Sequence, residues 1–181
     1  MNTQPQITTT RRRWLYGTVG AVAGLTGMAG YWWSRRAPAA GTNNRSPIWD
    51  SSFTSLSGPP LQLREFAGKP LLLNFWATWC PPCIEEFPLL DDFYRQNRSN
   101  GWQVLGLAVD QMQAVKTFLQ HHSVTFPIAM AGLAGIELSK TLGNLSGGLP
   151  FTIVFGSSGE VLHRKMGLVS KQDLHTWSQL R

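Results

Sequence analysis

Charge is scarce in this sequence. Asp, Glu, Lys and Arg make up 14 % of its 181 residues, against about 25 % in an average soluble domain. With hydrophobic residues at 43 %, including eight Trp and nine Phe, a wholly disordered chain is excluded. Cysteine is scarcer still. Two residues, Cys80 and Cys83, are too few for a disulfide-stapled scaffold or a four-cysteine zinc site. The four histidines (121, 122, 163 and 175) are scattered apart from one adjacent pair at an expected helix end. Adjacent residues diverge on a helix, so His121-His122 reads as a solvated end rather than a metal site. Acidic residues are absent before residue 41, whereas five of the sixteen basic ones lie there. The net charge of +6 therefore belongs to the N-terminus. The rest is nearly neutral and offers no basic footprint for nucleic acid. The length suits one ordinary domain plus an appendage.

What is present begins with an N-terminal signal. Arg11, Arg12 and Arg13 precede an uncharged run from Trp14 to Trp33, and Arg35 and Arg36 follow it. A helix of that length spans roughly 30 Å, the thickness of a bilayer core. Trp14 and Tyr16 at one end, and Tyr31, Trp32 and Trp33 at the other, suit the two headgroup layers. The run is rich in glycine, and Gly20 and Gly24 form a GxxxG that lets helices approach closely. The expectation is a single-pass signal anchor in a cytoplasmic membrane, with the C-terminal part in the periplasm or extracytoplasmic space. The alternative is a cleaved twin-arginine signal, because Thr10-Arg11-Arg12-Arg13-Trp14-Leu15 resembles one and Ala37-Pro38-Ala39 offers small residues for cleavage. Residues 1–36 are assigned to the cytoplasmic start and anchor. Residues 37–58, rich in Ala, Pro, Gly, Ser and Asn, are assigned to a tether. Residues 59–181 form the expected domain.

Within that domain, three short apolar runs read as central strands: Leu71–Trp76, Val104–Val109 and Phe151–Phe155. The last leads through Gly156-Ser157-Ser158-Gly159 into Glu160–Lys165, which predicts a hairpin. Helical spacing of apolar residues predicts helices over Cys83 to about Arg98, Ala114–His121, Ile136–Leu142 and Lys171–Leu180. Strands alternating with helices, closed by a hairpin and a helix, indicate an α/β sandwich on a mixed sheet.

Trp79-Cys80-Pro81-Pro82-Cys83 stands between the first strand and the first helix. A thiol at a helix N-terminus feels the positive end of the helix dipole, which favours thiolate, the species that attacks disulfides. Pro81 and Pro82 suit a first turn whose amides have no intrahelical partner. They also remove two donors that would stabilise a thiolate. An inert disulfide is disfavoured, since closing so small a loop constrains little.

Asn74-Phe75-Trp76-Ala77-Thr78-Trp79-Cys80-Pro81-Pro82-Cys83, followed by Glu86-Phe87-Pro88, resembles the membrane-tethered thioredoxin-like reductases of the TlpA/ResA type. The resemblance covers roughly residues 52–181. It implies a thioredoxin-like three-layer sandwich with a central mixed sheet. Residues 123–146 would hold the extra helix and strand of this branch. Gly147-Gly148-Leu149-Pro150-Phe151-Thr152 falls at the family's cis-proline loop, and Pro88 at its helix kink. Asn74 stands where cytosolic thioredoxin has a buried Asp, and Glu86 takes the place of this branch's functional Glu.

The resemblance thus implies catalysis by Cys80 and Cys83 with Glu86 as proton shuttle, and substrate binding by Trp79, Leu149 and Pro150. It implies protein dithiol or disulfide substrates, such as apocytochrome c or copper-site proteins of respiratory oxidases. It also implies a membrane thiol transporter of the DsbD or CcdA kind as electron donor. No organic cofactor or metal is required by this chemistry. Two other classes stay open. A thiol peroxidase shares the fold but places Pro and Thr or Ser differently before a single attacking Cys. A copper-delivery protein would use the two thiolates, but no Met or His stands beside the motif.

Overall fold

A computed structural model describes residues 47–180 of the chain. The proposed span Trp14–Trp33, the flanking arginines and the tether up to residue 46 lie outside the described residues. Among the described residues no helix is long and apolar enough to cross a membrane.

Seven strands form one sheet: β1 (Ser52–Ser55), β2 (Leu61–Gln62), β3 (Leu71–Trp76), β4 (Gln103–Ala108), β5 (Ile128–Met130), β6 (Phe151–Phe155) and β7 (Val161–Met166), in the order β2-β1-β5-β4-β3-β6-β7. Strands β3, β4 and β5 run parallel. β6 pairs antiparallel with β3, β7 with β6, and β1 with both β5 and β2. Among the described residues these strands are joined by four α-helices: α1 (Pro81–Asn97), α2 (Met112–His121), α3 (Ala134–Thr141) and α4 (Lys171–Ser178). The three expected apolar runs are the three central strands, which are buried on both faces, as continuous apolar runs should be. The expected insert at 123–146 supplies β5 and α3.

Because side chains alternate along a strand, the sheet separates two cores. One face carries Leu72, Trp76, Val104, Ala108 and Val154 against Phe87, Leu90 and Phe93 of α1, Val115 of α2, and Leu174 and Trp177 of α4. The other face carries Leu71, Leu73, Phe75, Leu105, Leu107, Phe151, Ile153 and Phe155. It is covered by Ile136 and Leu138 of α3 and by the N-terminal segment.

That N-terminal cover corrects the tether boundary. Pro47–Asp50 forms a short 3-10 helix, and β1 begins at Ser52. Ile48, Trp49 and Phe53 are buried. The Trp49 indole packs edge-on against Phe155 at 5.2 Å, and its Nε1–H donates to the Gly159 carbonyl at 3.1 Å. Residues 47–58 thus contribute to the folded body, although their small and polar composition suggests a tether. β1 and β2 carry little strand signal for the same reason: Ser52-Phe53-Thr54-Ser55 and Leu61-Gln62 are short and half polar.

The chain enters α4 through a capping box. Ser170 Oγ accepts from the Asp173 N–H, and Asp173 Oδ2 accepts from the Ser170 N–H. Lys165 of β7 pairs with the same carboxylate at 2.8 Å.

Candidate active site

β3 ends at Trp76, and the next residues turn the chain into α1. Asp110, just past β4, fixes that turn. Its Oδ2 accepts from the Thr78 N–H at 2.9 Å and from the Thr78 hydroxyl at 2.6 Å, while Oδ1 accepts from the Gln111 N–H. Cys80 is the N-cap residue of α1, in extended conformation, with Pro81 and Pro82 in the first turn. The helix therefore starts two residues earlier than apolar spacing suggests, because the prolines belong to it. Pro88 stands within α1, where it leaves the Ile84 carbonyl without its usual amide partner.

Cys80 and Cys83 form a disulfide, with Cα atoms 5.3 Å apart. The two sulfur-bearing residues differ in access: Cys80 is 5 % exposed and Cys83 fully buried. An incoming group can therefore meet Cys80 first. Trp79 stands beside it, 63 % exposed. Trp76 lies beneath, fully buried, with Phe87 at 4.4 Å and Phe118 at 5.4 Å between ring centroids.

Glu86 lies one turn along α1 from Cys83 and is fully buried, whereas Glu85 is exposed. Its carboxylate joins three elements. Oε1 accepts from Asn74 Nδ2 of β3 at 2.7 Å, and Oε2 accepts from the Val169 N–H, between β7 and α4, at 2.8 Å. Asn74 Nδ2 also donates to Thr152 Oγ1 of β6 at 3.0 Å. Asn74 and Thr152 are cross-strand partners in the β3–β6 register. Burial raises the Glu86 pKa from 4.5 to about 7, with the Val169 and Asn74 hydrogen bonds and the Lys165 charge acting in the opposite direction. A carboxyl group so placed can take or give a proton near neutral pH.

The Leu149–Pro150 peptide bond is cis, as the resemblance implies. Pro150 is buried and Leu149 half-buried. Pro150 immediately precedes β6, and Phe151 of that strand pairs with Phe75 near the end of β3. The Pro150 loop and the Cys80–Cys83 turn therefore share one edge of the sheet. The Gly167 N–H donates to the Pro150 carbonyl at 2.9 Å, drawing the β7–α4 connection to the same edge. His121 and His122, the expected solvated helix end, are exposed, and the His122 ring stacks on Phe118.

Cys80, Cys83, Glu86, Trp79, Leu149, Pro150 and Asn74 stand out in the sequence. Thr152, Asp110 and the Val169 amide join the site only through the fold. Thr152 stands in an apolar strand where a β-branched residue raises no notice. Its partnership with Asn74 is visible only once the register is known.

A family model described as Redoxin matches residues 40–177. The chain belongs to the Redoxin family. It is 33 % identical over 125 residues to the thiol-disulfide oxidoreductase ResA of Bacillus thuringiensis subsp. konkukian, covering 68 % of this chain and 70 % of that protein. It is 28 % identical over 129 residues to ResA of Bacillus subtilis, covering 68 % of each. Among solved structures, a thiol:disulfide interchange protein of the thioredoxin family from Chlorobium tepidum superposes with a TM-score of 0.65 at 29 % identity, over 75 % of this chain and 94 % of that one. StoA from Bacillus subtilis shares the fold, with a TM-score of 0.58 at 24 % identity, over 74 % of this chain and all of that one. The fold of this family member is thioredoxin-like, with a mixed central sheet. With its Cys80–Cys83 pair, the chain is a protein thiol-disulfide oxidoreductase acting on protein dithiols and disulfides.

Proposed function

We propose that the chain works as a disulfide reductase outside the cytoplasmic membrane, held there by the Trp14–Trp33 segment as a signal anchor. In the reduced form, the Cys80 thiolate attacks a sulfur of the substrate disulfide. A mixed disulfide forms and the first substrate thiolate leaves. Cys83 then attacks Cys80, forming the Cys80–Cys83 bond and releasing the second substrate thiolate. The substrate gains two electrons and the chain loses two. Glu86 takes the proton of the attacking Cys83 thiol and returns it to a departing sulfur. Trp79 and Leu149 contact the substrate, and Pro150 sets the Leu149 backbone for pairing with an extended substrate segment.

The observation that carries this reading is the asymmetry of the site. One reachable sulfur and one buried sulfur stand over a carboxyl group poised near neutrality. The reducing direction is supported by Pro81 and Pro82, whose missing amides leave a thiolate less stabilised and favour the disulfide. Re-reduction then requires a partner, for which a membrane thiol transporter of the DsbD or CcdA kind fits an exported domain. Apocytochrome c and copper-site proteins of oxidases are the proposed acceptors. The thiol–disulfide equilibrium of the chain with glutathione tests the direction. A potential near −270 mV, about that of thioredoxin, is expected, and one above about −180 mV overturns the reductase reading. Trapping with Cys83→Ser, followed by identification of the proteins held on Cys80, tests the acceptors. N-terminal sequencing of the mature protein tests the anchor, and a start near Ala40 or Gly41 would show a cleaved signal.

A further inference from the structure

Between α3 and β6 the chain runs Leu142-Gly143-Asn144-Leu145-Ser146-Gly147-Gly148-Leu149-Pro150. Three glycines in these nine residues would leave an unsupported connection loose. Asn144 supports it from within. Its side chain is buried, at 1 % exposure, and all its polar groups are in use. The Asn144 N–H donates to the Ser139 carbonyl at 3.0 Å, and the Asn144 carbonyl accepts from the Gly147 N–H at 3.0 Å. Nδ2 donates to Ser139 Oγ at 3.0 Å and to the Gly148 carbonyl at 2.8 Å, while Oδ1 accepts from Ser146 Oγ at 3.3 Å. Ser139 is itself fully buried near the end of α3, and its hydroxyl donates to the Ile136 carbonyl at 2.8 Å. Arg164 of β7 braces the start of the loop, donating from Nε to the Leu142 carbonyl at 2.6 Å.

These bonds make a fixed frame around Leu149. On its N-terminal side the Gly148 carbonyl is held by Asn144, and on its C-terminal side the Pro150 carbonyl is held by the Gly167 N–H at 2.9 Å. The half-buried Leu149 side chain packs against both cores. Among the described residues, the Leu149 N–H and carbonyl have no hydrogen-bond partner. A donor and an acceptor held open between two fixed carbonyls are prepared to pair with an extended segment. The ordering entropy is then lost on folding rather than on binding, which strengthens binding. Burying a carboxamide is unfavourable unless its hydrogen bonds are made, and those of Asn144 are made to this loop and to the helix that precedes it.

We propose that Asn144 is a positioning residue for polypeptide substrates: through the Gly148 carbonyl it sets the Leu149 backbone for strand pairing, and a disulfide too small to pair is indifferent to it. The inference rests on the reading that the reduced chain acts on protein disulfides with Leu149 pairing to an extended segment. It gives the insert between β5 and β6 a part in that reading, because α3 and Asn144 hold the loop that carries Leu149. The hydrogen bonds of the Asn144 side chain reach none of Cys80, Cys83 or Glu86, so binding and chemistry should separate on its removal.

The test uses the full-length chain, reduced beforehand, in single turnover. Three disulfides are offered: 2-hydroxyethyl disulfide, a homodimeric peptide disulfide, and the same peptide with the amides beside its cysteine N-methylated. Asn144→Ala should raise the peptide concentration for half-maximal rate by about ten-fold, with the limiting rate within about two-fold. Its rate with 2-hydroxyethyl disulfide should equal that of the unaltered chain. N-methylation should weaken binding to the unaltered chain by about ten-fold and add little in Asn144→Ala, because the two changes remove the same pairing. Ser139→Ala, which removes one partner of Asn144, should shift peptide binding the same way by about three-fold, and it decides the matter if Asn144→Ala does not fold. Unchanged peptide binding in the folded variants overturns the inference. So does an equal fall with peptide and 2-hydroxyethyl disulfide, which would make Asn144 a general support, or a full N-methylation effect that survives in the variants. An unaltered chain that reduces all three disulfides with no effect of N-methylation removes the strand-pairing reading and the inference while leaving the reductase reading intact. Reaction with none of the three removes the reductase reading as well.

Discussion

Along β3, Leu71, Leu73 and Phe75 belong to one core, while Leu72 and Trp76 belong to the other, on the side where Asn74 meets Glu86. β6 repeats the division: Phe151, Ile153 and Phe155 face the first core, and Thr152 and Val154 face the second. On the first face every fully buried side chain of these strands is apolar. On the second, Asn74 and Thr152 interrupt the pattern, and α1 adds the carboxyl group of Glu86. All three are fully buried. Among the described residues, Asn74 Oδ1 and Trp76 Nε1 have no hydrogen-bond partner, and an unmet buried polar atom costs about 1–3 kcal/mol. Burial alone would have favoured the apolar solution on both faces. The same strands thus serve stability on one side and tolerate its loss on the side that holds the chemistry.

The sharpest way to break this comparison is at the sulfurs. Cys80→Ser should reduce disulfide turnover to background. Cys83→Ser should also stop turnover while accumulating a mixed disulfide on Cys80, visible by intact mass. Equal trapping on both single variants would contradict the order of attack drawn from their burial.

Next comes Glu86. Glu86→Gln should slow disulfide reduction by roughly ten-fold or more and remove an ionisation near pH 7 from the rate profile. Glu85→Gln, on the exposed side of the same helix, should leave both unchanged. Identical pH profiles for the two variants would take Glu86 out of the mechanism.

The same carboxyl group should appear in stability. The folded chain holds the Glu86 proton more tightly than the unfolded chain, since burial lifts its pKa from 4.5 to about 7. Its effect on stability is therefore unfavourable as pH rises through that window, by about 3 kcal/mol at most. Urea unfolding of the oxidised chain at pH 5 and pH 8 should show a decline that Glu86→Gln lacks. A decline of equal size in the variant would assign it to other groups.

The smallest effects compare packing on the two faces. A Cβ on Gly106 would meet Ile128 Cδ1 at 2.5 Å and Trp76 Nε1 at 3.1 Å, so Gly106→Ala should cost about 1–3 kcal/mol and alter the fluorescence of the buried indole. Ile153→Val, on the apolar face, should cost about 1 kcal/mol and leave the rate and its pH profile untouched. A change in the rate profile with Ile153→Val would show that the two faces are not independent.

Much of this organisation was legible in the residues. β3, β4 and β6 announced themselves as unbroken apolar runs, and α1 through the spacing of Phe87, Leu90 and Phe93 behind a cysteine pair. The role of Glu86 was legible only through resemblance, because helix position alone does not distinguish it sufficiently from a solvated carboxylate. Other features depend on partners far away in the chain. Trp49 is held by the Gly159 carbonyl, so its own Pro- and Ser-rich surroundings suggested a linker. Thr152 matters because the register sets it opposite Asn74. The contact between Val169 and Glu86 uses a backbone amide, which every residue but proline carries and which no composition can reveal.

That last contact gives the molecule a built-in spectroscopic indicator. The Val169 amide is remote in sequence from the cysteines, yet it donates directly to the carboxylate behind them. Its proton and nitrogen resonances should therefore move with the charge on Glu86, and its exchange with deuterated solvent should be slow while that bond holds. A single backbone signal would then follow the protonation of the active site through a redox cycle, without any label on the sulfurs.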